Sequence, residues 1–186
     1  MMPKSMTKAE NHAITEELWH NVNEAMDLLY SQDMHLINNW PFDNQETDDH
    51  HHVGERAIVF RFAHYLQNIL DQDKQFNGYN LDCEYNRNGI ECKALPAFPN
   101  GVYPDVILHR RGRNDKNLLV MEFKTYWNRD QHNDIKKLKG FTDPKGNYKY
   151  ILGLAVLIER NRENVCITPV SNGVKHAAIV GSREWA

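Results

Sequence analysis

Two apolar arms flank a polar, basic turn in the stretch YPDVILHRRGRNDKNLLVMEFKTYW, which runs from Tyr103 to Trp127. The arms lie at 106–108 and 118–123, and their β-branched, apolar and aromatic residues are typical of strands. Two strands this close together in the chain predict a β-hairpin, so the fold is expected to contain a β-sheet. Glu122 and Lys124 then stand out, because they are polar residues in an otherwise apolar arm.

The expected register of this hairpin brings polar residues together. With the turn centred near Arg113 and Asn114, Asp105 lies opposite Glu122, and directly opposed residues have Cβ atoms about 5 Å apart. Because side chains alternate between the two faces of a strand, Glu122 and Lys124 share one face. We therefore expect Asp105, Glu122 and Lys124 to converge at one end of the sheet.

This convergence predicts a metal site. Two close carboxylates repel each other unless a proton or a cation lies between them. Mg²⁺ suits the position, because it takes oxygen ligands from one or two carboxylates and keeps several waters for a substrate phosphate. The carbonyl oxygen of Phe123 can supply a further ligand, and Lys124 can hold the attacking water and offset charge that develops at phosphorus. The alternative is a structural cross-strand salt bridge between Asp105 and Lys124.

A helix is predicted over 53–70, and its first turn carries an acid on the apolar face. Counting from Glu55, apolar residues follow at helical spacing: Ile58, Val59, Phe62, Leu66 and Ile69. A carboxylate on a core-facing side needs a partner, a metal ion or access to water. The alternative is that Glu55 simply occupies the first turn, where the helix dipole favours acids.

The remaining pattern completes an α/β plan with a mixed central sheet and helices packed against it. Beyond the hairpin and this helix, we predict helices over 7–30, 32–38 and 128–140, the last capped by Asn128 or Asp130 and ended by Gly140, and strands over 81–85, 148–159 and 164–170. We divide the chain into an N-terminal helical extension with a polar loop, 1–52, and a core, 53–186. The apolar stripe of the first helix suggests a homodimer or a partner subunit.

Composition narrows the class of protein. With 41% hydrophobic and 25% charged residues the chain is expected to be globular. A net charge of −3 disfavours binding to nucleic acid through phosphates alone, so such binding needs local patches. Two basic clusters are candidates, and each also fits a solvated surface: Arg110, Arg111, Arg113 and Lys116 in the turn, and Lys136, Lys137, Lys139, Lys145 and Lys149 downstream.

Other segments give weaker expectations. No apolar run approaches the roughly twenty residues of a membrane span, and the start MMPKSMTKAE lacks a signal-peptide core, so we expect a cytoplasmic protein without a membrane partner. Three scattered cysteines predict no disulfide framework or zinc knuckle. The run Asp48 to His52 has ligands that suit a transition metal, but adjacent residues rarely converge on one ion.

Pro104-Asp105, followed after sixteen residues by Glu122-Phe123-Lys124, resembles the signature of the PD-(D/E)xK phosphodiesterase superfamily. That superfamily has the fold of many restriction endonucleases, Holliday junction resolvases and RecB-type nucleases. The resemblance spans about Val53 to Val170. It includes an acid at the head of the first core helix, here Glu55, and the helix after the motif.

The resemblance implies a restriction-endonuclease-like core and a Mg²⁺-dependent nuclease, with Mn²⁺ as a substitute ion and DNA as the expected substrate. By that resemblance Asp105 and Glu122 bind the metal, Lys124 serves the nucleophilic water and Glu55 assists metal or water binding. Gln131 and Lys137 contact the nucleic acid. The alternative is a non-catalytic nucleic-acid-binding or complex-forming subunit on the same fold.

Overall fold

The structure, a computed structural model, describes residues 7–38 and 52–181. Its helices are α1 (Lys8–Gln32), α2 (His35–Asn38), α3 (Glu55–Leu70) and α4 (His132–Thr142). Its strands are β1 (Asn80–Cys83), β2 (Arg87–Asn88), β3 (Glu91–Cys92), β4 (Val106–His109), β5 (Asn117–Thr125), β6 (Leu152–Ile158), β7 (Cys166–Ser171), β8 (Val174–Lys175) and β9 (Ile179–Val180). Short 3-10 turns lie at Lys74–Phe76 and Arg162–Asn164.

The main sheet is mixed. Its strands follow the order β1-β4-β5-β6-β7-β8, and β9 also pairs with β7. β5 and β6 are parallel, whereas the other neighbouring pairs are antiparallel. A parallel pair needs a crossover connection, and α4 lies in the one between β5 and β6. The predicted α/β architecture, a mixed sheet flanked by helices, is confirmed at this level.

The hairpin β4–β5 has the predicted register at the end that carries Asp105 and Glu122. Val106 pairs with Met121, so Asp105 and Glu122 are the next opposed positions outward. A bulge between Leu108 and His109 shifts the pairing toward the turn. The bulge lies away from Asp105, so the expected convergence of the polar residues is preserved.

Alternation along β5 separates two hydrophobic clusters. Leu119, Met121 and Phe123 pack in the cluster that contains α1 and α3. Val120 packs in the second cluster, under α4. Because alternate residues share a face, Glu122 and Lys124 continue the α4 face of β5 beyond Val120.

Helix α1 belongs to the same hydrophobic cluster as α3. Thr7 and Glu10 form a capping box that fixes its start: the Glu10 carboxylate accepts a hydrogen bond from the Thr7 N–H at 2.6 Å, and Thr7 Oγ1 accepts one from the Glu10 N–H at 3.2 Å. Its apolar stripe is buried in this cluster, with Leu18, Val22 and Met26 fully inaccessible to solvent. From the apolar stripe of α1 we expected a homodimer or a partner subunit that binds through the N-terminal helices. Other parts of the same chain cover this stripe.

Helix α4 runs two residues beyond its predicted end. The expectation that Gly140 terminates it is wrong, because the helix continues to Thr142. A Cβ atom on Gly140 would lie 3.0 Å from Leu95 Cδ2, so glycine here permits close packing of α4 against Leu95. The N-cap residue is Gln131, whose side chain forms no capping hydrogen bond, whereas the carboxylate of Asp130, one of the two predicted caps, accepts a hydrogen bond from the His132 N–H at 2.9 Å.

The structure bears on three further features of the sequence: membrane spans, the polar loop and the cysteines. Across 7–38 and 52–181, no helix has the length and apolar character needed to cross a membrane. Residues Asp48 to His51 of the suggested transition-metal run lie outside the described residues. Cys83, Cys92 and Cys166 are all free thiols.

Candidate active site

Asp105 is fixed at the entrance of β4 by the backbone of the neighbouring strand. Its Oδ2 atom accepts a hydrogen bond of 2.7 Å from the Phe123 N–H. The Phe123 side chain is fully buried and packs against Phe62 of α3, with ring centroids 5.1 Å apart. The aromatic ring thus anchors the strand, and its backbone holds the Asp105 carboxylate in place.

Glu122 projects from β5 toward α4 and is almost completely buried, with 2% of its surface exposed. Its Oε2 atom lies 2.9 Å from Lys137 Nζ. The same ammonium lies 3.3 Å from Asp134 Oδ1, so Lys137 bridges two carboxylates. Lys137, which we expected to contact nucleic acid, forms an internal ion pair with Glu122 in this structure.

Lys124 connects the two helices that border the site. Its Nζ atom is 3.4 Å from Glu55 Oε1, at the start of α3, and 3.6 Å from Asp134 Oδ2, on α4. The side chains of Lys124 and Glu55 are partly exposed, whereas that of Asp134 is buried. The structure therefore brings Glu55, Asp105, Glu122 and Lys124 together at one end of the sheet.

Burial is the first cause of upward pKa shifts at three acids of this cluster, Glu122, Asp105 and Glu55. Burial, and then the nearby charge of Asp105, raise the pKa of Glu122 to about 8 despite the opposing effect of Lys137. Burial also raises the pKa of Asp105, against the hydrogen bond from Phe123 and the charges of Lys137 and Lys124. The Glu55 pKa rises for the same first reason, which outweighs Lys124. These three carboxyl groups therefore ionise less readily than they would in water.

The pKa values of the two lysines are also raised, but by the neighbouring carboxylates and not by burial. Burial alone would lower the pKa of Lys124, but the carboxylates of Asp134 and Glu55 outweigh it and raise that pKa. The Lys137 pKa is raised because Glu122 and Asp134 similarly outweigh its burial. The ammonium groups of Lys124 and Lys137 are therefore protonated and positively charged at neutral pH.

Several oxygen atoms of the cluster have unused hydrogen-bonding capacity. Glu55 Oε2, Glu122 Oε1 and Asp134 Oδ2 are buried, and none accepts a hydrogen bond within the part of the chain that the structure describes. In that same part, no three Asp, Glu, His or Cys side chains already form a group that could hold a metal ion. Mg²⁺ needs only one or two protein carboxylates together with water. The donor set of Asp105 and Glu122 therefore fits Mg²⁺, with Lys137 as the present counter-charge of Glu122.

Asp134 is the residue that the sequence interpretation missed. It precedes Leu138 by four residues and Phe141 by seven, and all three are buried on the inner face of α4. The same helical spacing identified Glu55 on α3, so applying it to α4 would have found Asp134. Gln131 lies at the N-cap of α4 and its buried Nε2 atom has no hydrogen-bond partner among the described residues.

The basic turn of the hairpin is largely engaged in local contacts. Arg111 forms an ion pair with Asp82, whose carboxylate also contacts His109 Nε2 at 2.9 Å. Arg113 pairs with Asp115 at 2.6 Å. Arg110 stacks over a tyrosine ring, Tyr79, at 4.6 Å from the centroid. These contacts fit a solvated surface with local ion pairs better than they fit a free phosphate-binding patch.

Comparison with known proteins leaves the site to be interpreted on its own geometry. The chain matches no protein-family model, no curated protein and no solved structure.

Proposed function

We propose that the protein is a Mg²⁺-dependent nuclease on a restriction-endonuclease-like core, which hydrolyses phosphodiester bonds with DNA as the expected substrate. One observation carries the proposal: Glu55, Asp105, Glu122 and Lys124, which come from three separate segments, meet at one end of β5. Buried oxygens of Glu55 and Glu122 have no hydrogen-bond partner among the described residues, which supports a role in binding a cation.

Each residue has a role in this proposal. Asp105 and Glu122 hold the ion, with the Phe123 carbonyl as a further ligand. When bound, Mg²⁺ polarises a phosphoryl oxygen and lowers the pKa of a water molecule. The Lys124 ammonium holds the attacking water and offsets negative charge at the scissile phosphate. Mn²⁺ is expected to substitute, because it also prefers oxygen ligands.

Residues around this centre assist in positioning. Glu55 accepts a hydrogen bond from Lys124 at 3.4 Å and so orients its ammonium. Asp134 contacts both lysines, which makes it a positioning residue of the same kind. Gln131 and Lys137 lie on the α4 side, where they approach the substrate in our proposal. Such contacts require Lys137 to leave Glu122 when the ion binds.

A second candidate is a non-catalytic nucleic-acid-binding or complex-forming subunit on the same fold. The observation that favours it is the internal pairing of Glu122 with Lys137 at 2.9 Å, which neutralises a buried acid without a metal ion. In that case the acids and lysines form a structural charge network. Metal dependence of cleavage separates the two candidates.

The test is a cleavage assay with purified protein on supercoiled plasmid and on single-stranded circular DNA, in Mg²⁺, Mn²⁺ or EDTA. Lys124→Ala and Asp105→Asn are each expected to lower the rate by about 100-fold or more, by analogy with the loss of a single stabilising group. Lys74→Ala is the matched control, because Lys74 is an exposed lysine outside both basic clusters, in the 3-10 turn that follows the end of α3 away from Glu55. It is expected to retain activity.

The outcomes are distinct. Equal cutting by the wild type and by both site variants would reveal a contaminating nuclease and contradict the assignment. Binding of DNA by the wild type without cutting under any metal condition would favour the non-catalytic subunit.

A further inference from the structure

A small, mostly apolar cavity opens directly beside the proposed catalytic centre. It has a volume of about 150 Å³ and lies between α3 and the strands β1 and β4. Glu55 and Asp105 form one wall, and so the cavity is continuous with the proposed site. Val59, Phe60 and Cys83 supply apolar surface, with Arg56 and Glu84 at the rim.

Phe60 is the unusual residue of this cavity. It is 63% exposed, although the same helix buries Val59 and Phe62. Aromatic side chains normally bury their large apolar surface, so an exposed ring beside a catalytic centre favours a ligand that covers it. Phe60 is not among the buried residues of α3, so the core packing of this helix does not account for its position.

Two charged side chains at the rim of the cavity, Arg56 and Glu84, can form hydrogen bonds with a polar ligand. Arg56 and Glu84 form an ion pair of 2.7 Å, with side chains 86% and 44% exposed. Exposed pairs of this kind contribute little stability, so both groups are free to exchange partners. A guanidinium donates and a carboxylate accepts hydrogen bonds, which together match the mixed donor and acceptor edge of a nucleobase.

We propose that this cavity binds one unpaired nucleobase of the substrate, stacked on Phe60, so that the enzyme prefers single-stranded nucleic acid or strand ends. The inference rests on the proposed nuclease function and names the substrate class of that site. At about 150 Å³ the cavity is smaller than a typical ligand pocket of about 300–1,000 Å³, so it suits a single planar ring system. A base within a duplex is stacked on its neighbours and has no free face for Phe60.

The test compares binding of three oligonucleotides of matched sequence: single-stranded DNA, single-stranded RNA and duplex DNA, with Ca²⁺ in place of Mg²⁺. A 2-aminopurine base near the centre of each strand reports stacking by its fluorescence. Phe60→Ala is expected to weaken binding to the preferred single strand by about 5- to 150-fold, the range for one base stacked on an aromatic ring, with duplex binding unchanged. The two single-stranded arms distinguish DNA from RNA as the source of the base.

Two further variants sharpen the result. Phe60→Trp keeps a stacking surface and is expected to retain tight binding and the 2-aminopurine signal. Ile90→Ala is the matched control, because Ile90 is 94% exposed and does not line the cavity. It is expected to leave binding to every oligonucleotide unchanged. Phe60→Ala is also expected to keep the melting temperature of the wild type, because the ring is exposed.

Three results would overturn the inference. They are equal losses on single-stranded and duplex DNA, no loss on either, and a marked drop in melting temperature that shows Phe60 to be packed against the protein. Cleavage by the wild type is measured in parallel assays. The test of the base pocket and the test of the nuclease function then give separate answers. Metal-dependent cleavage that ignores Phe60 refutes only the base pocket, whereas Phe60-dependent binding without any cleavage supports the pocket and refutes the nuclease.

Discussion

Burial and the nearby Asp105 oppose the charge of the Glu122 carboxylate, and the Lys137 ammonium at 2.9 Å compensates for them only in part. Only 2% of its surface is exposed, the opposed strand presents Asp105, and its Oε1 atom has no hydrogen-bond partner among the described residues. A buried carboxylate must gain a proton or a cation to be stable there. Proton uptake and metal binding therefore compete at this one residue.

The competition predicts a pH dependence for metal binding. Because the pKa of Glu122 is about 8, a growing fraction of the protein is protonated below that pH, and metal must displace the proton. We expect the affinity for Mg²⁺ or Mn²⁺ to rise by up to about tenfold per pH unit between pH 6 and 8, and to level off above. Calorimetric titration in buffers of different ionisation enthalpy measures both the affinity and the released proton.

The metal-free protein should respond to pH in the opposite direction. The folded pKa of Glu122 lies above its ordinary value of 4.5, so the folded state binds the extra proton. Stability from this group is complete below about pH 4.5 and declines as the pH rises to about 8. Glu122→Gln, which has no titrating group, should flatten both profiles, and an unchanged slope in that variant would assign the pH dependence to another residue.

Most of the candidate site follows from side-chain periodicity. Period two on β5 put Glu122 and Lys124 on one face, and helical spacing put Glu55 on the inner side of α3. The ion pair of Lys137 with Glu122 was not predictable in this way, because it depends on how α4 packs across the sheet. Long lysine side chains reach several alternative partners, and only the tertiary arrangement selects one.

At the scale of elements, the hairpin shows what local sequence determines and where tertiary contacts decide. Opposed apolar positions set the pairing of Val106 with Met121, which the sequence predicted. The bulge at Leu108 and His109 was not predicted. Buried Asn117 donates a hydrogen bond of 2.7 Å to the Tyr148 carbonyl, a contact from a distant segment that accompanies the shifted register.

The layer under α4 offers a matched pair of tyrosines for a stability test. Tyr148 and Tyr150 are both 2% exposed and pack in the same cluster. Tyr148 Oη donates to the Ala94 carbonyl at 3.1 Å and accepts from the Ala94 N–H at 2.9 Å. Tyr150 Oη is buried without a partner among the described residues, and burial raises its pKa.

Removing each hydroxyl should therefore shift stability in opposite directions. Tyr150→Phe deletes a group that has no hydrogen bond, so we expect it to raise the free energy of unfolding by about 1 kcal/mol. Tyr148→Phe leaves Ala94 without two bonds and should lower the free energy of unfolding by about 1–2 kcal/mol. Urea denaturation with an unchanged m-value measures both. A shift of both variants in the same direction would contradict this account of the layer.

At the scale of the whole molecule, the candidate site lies where two helical layers and the sheet come together. Glu55 belongs to α3, in the layer with α1, whereas Asp134 and Lys137 belong to α4, in the layer on the opposite face. Asp105 and Glu122 belong to the sheet between them. An ion bound by Asp105 and Glu122 would therefore lie between the two helical layers.

Thermodynamic linkage between ion binding and folding predicts that a bound divalent ion stabilises the entire fold. An ion that binds only the folded state, present at about 100 times its Kd, adds about 2.7 kcal/mol to the free energy of unfolding. At about 2–4 °C per kcal/mol for a chain of this size, the melting temperature should rise by roughly 5–10 °C. Far-ultraviolet circular dichroism is the measurement, with NaCl at equal ionic strength as the control for screening. Asp105→Asn combined with Glu122→Gln removes both proposed ligand charges and should abolish the shift. An equal shift in that double variant would place the stabilising ion elsewhere in the protein.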